Sequence, residues 1–167
     1  MSVEFQDYSF EVKAELNDIT RGWLRKWAHE IASHARDNTQ LDGEAGVQLR
    51  KSYRADVNEA EGVAHTGTPL ESGYWEEFGT GEHAVHDDGR PGWWVYIEGG
   101  SGYDGPTNHY ITQESAEAAA AFIREKYGKK AVATNGREPS YTLEKAFTVN
   151  KPKAIADLER LLRGMNG

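Results

Sequence analysis

Apolar residues recur along the first part of the chain at helical intervals: Val12, Leu16, Ile19, Trp23, Trp27 and Ile31, with Ala28 and Ala35 carrying the stripe on. This spacing predicts an amphipathic helix over residues 11–37. Tyr8, Phe10, Val12, Ala14 and Leu16 also alternate with polar residues, which is the period of a strand. The two readings compete over 12–16, and the length of the helical stripe favours the helix. Gly22 inside it costs about 1 kcal/mol. Trp23 and Trp27 read as core or interface residues. Residues 38–46 form a polar loop with two glycines, and 49–57 read as a strand with Tyr53, Ala55 and Val57 on one face. A turn at 58–62 returns it as a second strand over 63–66.

The sharpest local signal is TPLESGYWEEFGTG, residues 68–81. Thr68 is placed to cap a short helix, Pro69 suits its first position, and Glu71 stands where a capping box needs a carboxylate. Leu70, Tyr74, Trp75 and Phe78 share one face, and Gly79 is placed to stop the helix. Trp75 reads as part of that apolar face, and Glu76 and Glu77 as solvated. A glycine-containing loop over 81–92 leads to Trp93, Trp94, Val95, Tyr96 and Ile97. With apolar side chains on both faces, that strand is central or covered by a neighbouring chain. Residues 99–106 are glycine-rich. Thr112 caps an alanine-rich helix to about Tyr127, with Gly128 as its stop. Its small side chains suit an appendage or a close-packing contact. Residues 131–134 read as a short strand and Asn135-Gly136 as a turn. Two apolar stretches close the chain, 141–147 and 152–162, the second with Ile155, Leu158 and Leu162 on one helical face. The expected class is α+β: long N-terminal and C-terminal helices packed on a small antiparallel sheet, with an inserted helix near 113–127. The expected organisation is one domain, 1–167, with an insertion at 99–130.

Composition narrows the function classes. A length of 167 residues suits one domain with a real core. Hydrophobic content of 38% and a mean hydropathy of -0.75 are low for a compact monomer, which leaves either large loops or surface completed by a partner. There is no cysteine, so disulfides and thiolate metal sites are out. No apolar run approaches ~18 residues and the first ten residues lack a basic-then-apolar pattern, so neither membrane span nor signal peptide is expected. Net charge is -8, which disfavours a nucleic-acid-binding surface. Nine acids (Asp56, Glu59, Glu61, Glu71, Glu76, Glu77, Glu82, Asp87 and Asp88) fall over 56–88 with no Lys or Arg among them. They read either as a solvated face or as a surface that repels polyanions or meets a basic partner.

Signals for chemistry are weak. His83, His86, Asp87 and Asp88 lie close together, but their spacing matches no familiar metal geometry and no rigid element holds them. The glycines at 79, 81, 99, 100 and 102 precede no Lys-Ser/Thr, so they make no phosphate loop. No glycine–serine–glycine elbow is present. No catalytic residue and no cofactor is expected.

Three stretches resemble the proteins that join head and tail in tailed bacteriophages, the neck or tail-completion family. The first is Leu41-Asp42-Gly43 with Leu49-Arg50-Lys51-Ser52, separated by 44–48. The second runs Trp75-Glu76-Glu77-Phe78-Gly79-Thr80-Gly81-Glu82 and continues as Gly89-Arg90-Pro91-Gly92-Trp93-Trp94-Val95-Tyr96. The third is Gly136-Arg137-Glu138-Pro139, then Leu143-Glu144-Lys145-Ala146-Phe147. They follow in the family's order, with 99–130 as an addition. The resemblance implies a structural virion protein without catalytic residues, cytoplasmic until assembly. It implies a subunit of a ring, six-fold favoured, at the head-proximal end of the tail, in contact with other neck and tail proteins. DNA would pass through without specific binding. It marks Trp75, Glu77, Phe78, Gly79, Thr80, Gly81, Trp93 and Trp94 as motif or assembly residues. In such a ring Glu71, Glu76 and Glu82 are expected to face the channel. The competing class is a small metal-dependent hydrolase built on the His83/His86 loop.

Overall fold

The computed structural model describes residues 10–11, 18–86, 89–97 and 109–165. Among them are five helices and seven short strands, an α+β chain with long first and last helices and small antiparallel sheets. It divides into two units. Met1–Glu77 and Ser140–Gly167 form the first, and Phe78–Pro139 the second. The expected insertion at 99–130 lies inside the second unit.

The first unit is built on α1 (Asp18–Asn38) and α5 (Thr142–Met165). α1 begins later than its hydrophobic stripe predicts. Phe10–Glu11 instead form β1, paired antiparallel with β3 (Val63–Gly67). The period-2 reading therefore holds at 10–11, and the contested 12–16 lies outside the described residues. Within α1, Trp23, Leu24, Trp27, Ala28, Ile31, Ala32 and Ala35 are buried, whereas Ile19 of the predicted stripe is exposed. The two indoles reach α5: Trp23 Nε1 donates to the Ala154 carbonyl at 2.8 Å and Trp27 Nε1 to Asp157 at 3.0 Å. Each ring buries apolar area while its one polar hydrogen stays satisfied. Ala64, Ala154, Ala55, Val57, Leu158 and Leu161 complete this part of the core.

The polar loop and strand expected over 38–57 are corrected. Gly43–Ser52 is a helix, α2, and the strand β2 is Arg54–Asn58. Two glycines made the stretch look like a loop, yet Gly46 serves packing. A Cβ there would stand 1.8 Å from the Leu41 carbonyl oxygen. Leu49 and Tyr53, four apart, are both buried with Ile31, Ala35, Leu143 and Ala146. Arg50 donates to the Thr39 and Leu41 carbonyls at 3.2 and 3.1 Å, closing the turn before the helix. β2 pairs with β3 from Arg54↔Gly67 to Asn58↔Val63. In the predicted turn Asn58 Oδ1 receives the amides of Ala60 and Glu61.

α5 merges the two C-terminal stretches into one helix with Pro152 inside it. Proline removes a hydrogen bond to the carbonyl four residues back. Here that residue, Thr148, is exposed, as is Pro152, so the break in the hydrogen-bond ladder falls on the outer side of the helix. The inward stripe is buried Ala154 with half-buried Leu158 and Leu161; Ile155 and Leu162, expected on it, are exposed.

In the second unit β4 (Thr80–Gly81) pairs antiparallel with β7 (Gly136–Arg137), and β5 (Trp94–Ile97) with β6 (Ala131–Thr134). Thr112 caps α4 (Gln113–Tyr127) by accepting the Ser115 amide. Gly128 ends it with φ +62°, its amide donating to the Arg124 carbonyl. Start and stop agree with the sequence. α4 packs on β5 and β6 with Ala116 and Ala120 fully buried, so it is a wall of this unit, the close-packing alternative to an appendage. Tyr96 and Val132, cross-strand partners, lie exposed on the ladder.

Candidate functional site

α3 spans Glu71–Phe78, starting two residues after Pro69. Thr68 shapes the turn before it. Its hydroxyl receives the Leu70 amide at 3.1 Å and hydrogen-bonds to Ser52 Oγ. Phe78 closes the helix and Gly79, with φ +74°, stops it as predicted.

The helix follows its hydrophobic pattern only in part: Phe78 is buried and Leu70, just before the helix, packs on the core, but Trp75 does not turn inward. Trp75 is 37% exposed, whereas Glu76 and Glu77 are 1% and 2% exposed. The reading of these carboxylates as solvated is overturned by the donors they meet. Glu77 receives the Leu143 and Glu144 amides, at 2.7 and 3.0 Å, one on each oxygen. These N–H groups open α5, where an unpaired amide and the helix dipole both favour an anion. Glu76 Oε1 receives the Gln40 amide at 2.6 Å and the Thr142 hydroxyl at 3.3 Å. The α3 backbone adds two more ties, its Glu76 and Glu77 carbonyls receiving the Ser140 and Tyr141 amides. The last turn of α3 and the start of α5, about sixty residues apart in sequence, are thus held end to end within the first unit. Burial pushes the Glu77 carboxyl above its ordinary value, while the amides pull it back. Burial also pushes the Tyr53 hydroxyl up, and the charges of Glu76 and Glu77 add to that.

The motif residues that follow Glu77 form a tight crossing in the second unit. Thr80 pairs with Arg137 and Gly81 with Gly136. Thr80 Oγ1 receives the Arg137 amide at 3.0 Å. Gly81 has φ +63°, and a Cβ on it would stand 2.0 Å from the Asn135 carbonyl oxygen and 2.5 Å from the Trp94 ring. On Gly136 a Cβ would stand 2.0 Å from the Thr80 carbonyl oxygen. Glycine is needed here for approach as well as for conformation. Glu82 ties the crossing down, receiving the Gly92 amide at 3.1 Å and the Asn135 side-chain amide at 3.0 Å. Trp94 is half-buried under the Arg90 guanidinium, 5.2 Å from its ring centre, and Trp93 bridges to Tyr110.

The histidines of this loop serve separate neighbours. His83 Nδ1 lies 2.7 Å from Glu138, and His86 packs against the Phe78 ring at 4.9 Å. Asp87 and Asp88 lie outside the described residues, among which no group of three potential metal-ligating side chains converges.

The fold breaks up the run of acids. Glu76 and Glu77 are buried, Glu59 pairs with Arg25 at 2.6 Å, and Glu82 is engaged as above. Asp56, Glu61 and Glu71 are exposed, and so is Glu82 despite its hydrogen bonds. Of the three acids expected to face a channel, Glu76 is thereby removed from the surface. The Gln40 amide and the α5 amides, which hold the carboxylate pair, were missed from sequence because they are distant in the chain. The one local hint was two acids between Trp75 and Phe78.

No helix among the described residues is long and apolar enough to cross a membrane. No family model, no curated protein and no solved structure matches the chain.

Proposed function

We propose that the chain is a structural protein that joins head and tail in a tailed bacteriophage, one subunit of a ring through which DNA passes. The observation that carries this reading is the crossing of β4 and β7. The second resemblance stretch supplies Phe78–Gly81 and Trp94, and the third supplies Gly136 and Arg137. The two meet at glycines that a side chain would force apart. Residues more than fifty positions apart thus behave as one structural motif, as expected of a shared framework rather than of scattered coincidence. The third stretch continues into α5, whose first amides Glu77 of the second stretch receives. Exposed Trp75, Tyr96 and Val132 supply apolar surface for neighbouring subunits. Among the described residues, Glu71 and Glu82, with Asp56 and Glu61, are exposed and so available to a channel wall, where they would repel the duplex over about 8 Å at physiological salt.

Particles produced without this chain should accumulate as DNA-filled heads and separate tails in electron micrographs, with joining restored by supplying the chain. Complete infectious particles in its absence would refute the reading.

A further inference from the structure

α4 has a second face that the described residues of the second unit leave exposed. Ala116 and Ala120 are buried, while Glu114, Ala118, Phe122 and Lys126 are exposed. These four recur every fourth residue and so form a single ridge along the helix. The ridge reads acid, small, aromatic, base. Reversed and laid against itself, it matches at every position: Glu114 meets Lys126, and Phe122 meets Ala118. The large ring thus finds a small neighbour at the same step where the charges find opposite ones. Phe122 is 53% exposed, and Lys126 holds it in place, its ammonium 5.1 Å from that ring and 5.4 Å from Tyr127. The two rings stack edge-on at 6.3 Å.

We infer that α4 is a docking surface for a second copy of this chain, forming an antiparallel helix pair about a two-fold axis that passes between Ala118 and Phe122 on the exposed ridge. A two-fold contact requires a patch complementary to itself, which this ridge is. A polyanion is a poorer occupant, since Glu114, Glu117 and Glu125 are exposed on the same helix. α4 has 15 residues and is about 22 Å long. A pair of such helices buries less than the ~1,200 Å² of a permanent interface, so the dimer is reversible. This contact is independent of the ring proposed above, which repeats one heterologous contact.

Sedimentation equilibrium of the full chain over a wide concentration range tests it. The wild type should pass from monomer to dimer. E114K and K126E should each weaken dimerisation roughly tenfold, as two exposed ion pairs become repulsive. The double variant E114K/K126E should restore it, and Ala118→Arg, which fills the position opposite Phe122, should abolish it. Circular dichroism of each variant checks that the helix remains. The inference is overturned by a wild type that stays monomeric throughout, by a double variant no better than the singles, or by association insensitive to Ala118→Arg. Self-association seen only after duplex DNA is added would assign the ridge to a polyanion and overturn it equally.

Discussion

Replacing three glycines by alanine separates the physical effects on which the β4–β7 crossing rests. Gly22, in α1, has open space where an alanine methyl would stand and no unusual φ. Alanine there should stabilise by about 0.5–1 kcal/mol, because the unfolded chain loses freedom and the helix loses nothing. Gly128 has φ +62° but nothing within 4 Å of a Cβ. Alanine should cost about 1–2 kcal/mol for the left-handed backbone alone. Gly81 has nearly the same φ, +63°, with the Asn135 carbonyl at 2.0 Å, the Trp94 ring at 2.5 Å and Gly136 Cα at 2.7 Å. Two of these neighbours are backbone and cannot swing aside. Overpacking adds about 1–3 kcal/mol to the conformational cost, for a total of roughly 2–5 kcal/mol. Gly81 and Gly128 lie in the same unit, so one unfolding transition reports both. Urea titrations followed by tryptophan fluorescence and circular dichroism give the differences. If Gly81→Ala costs no more than Gly128→Ala, the close approach of β4 and β7 is wrong.

Trp23→Ala should cost about 3–5 kcal/mol, since the ring is 2% exposed and its Nε1–H would leave the Ala154 carbonyl. Trp75→Ala should cost distinctly less, its ring being 37% exposed, and paired urea titrations that rank them in reverse would contradict the packing. Burial raises the Glu77 carboxyl in the folded state, so its contribution is full below the unfolded value near 4.5 and is lost as pH rises through the raised value. Glu77→Gln should remove that loss from the stability–pH curve, and an unchanged slope would contradict it. The Lys26 ammonium beside Asp157, with Arg160 and the Trp27 N–H, holds that carboxyl well below the usual carboxylate range. Its contribution is present above the unfolded value of about 4 and lost as pH falls toward the depressed one. Asp157→Asn should flatten the acid limb of the same curve.

Elements whose causes are local were legible in the sequence. Thr112, the alanine run and Gly128 define α4 without help from the rest of the fold, and Asn58 writes its own turn. Elements whose causes are distant were not. Gly46 looked like loop chemistry because the Leu41 carbonyl that demands it cannot be seen in a composition window. Glu76 and Glu77 read as solvated because their donors lie in α5 and at Gln40. The acids over 56–88 seemed to lack a basic partner until folding brought Arg25 to Glu59. α5 looked broken at Pro152 because proline signals a stop, and exposure of Thr148 and Pro152 is a tertiary property. At the candidate site, glycine and tryptophan positions marked the crossing, while the burial of Glu76 and Glu77 beside Phe78 was set by hydrogen-bond donors that hydrophobicity does not reveal.

Cryo-electron microscopy of complete particles, with mass spectrometry of their proteins, tests the joining role most directly. This chain should be present in stoichiometric amount as a ring between head and tail. In that ring the density around residues 78–81 and 136–137 should show the two glycine-lined strands in contact. Complete particles that contain none of this chain, or that carry it elsewhere than the head–tail junction, would contradict the joining role.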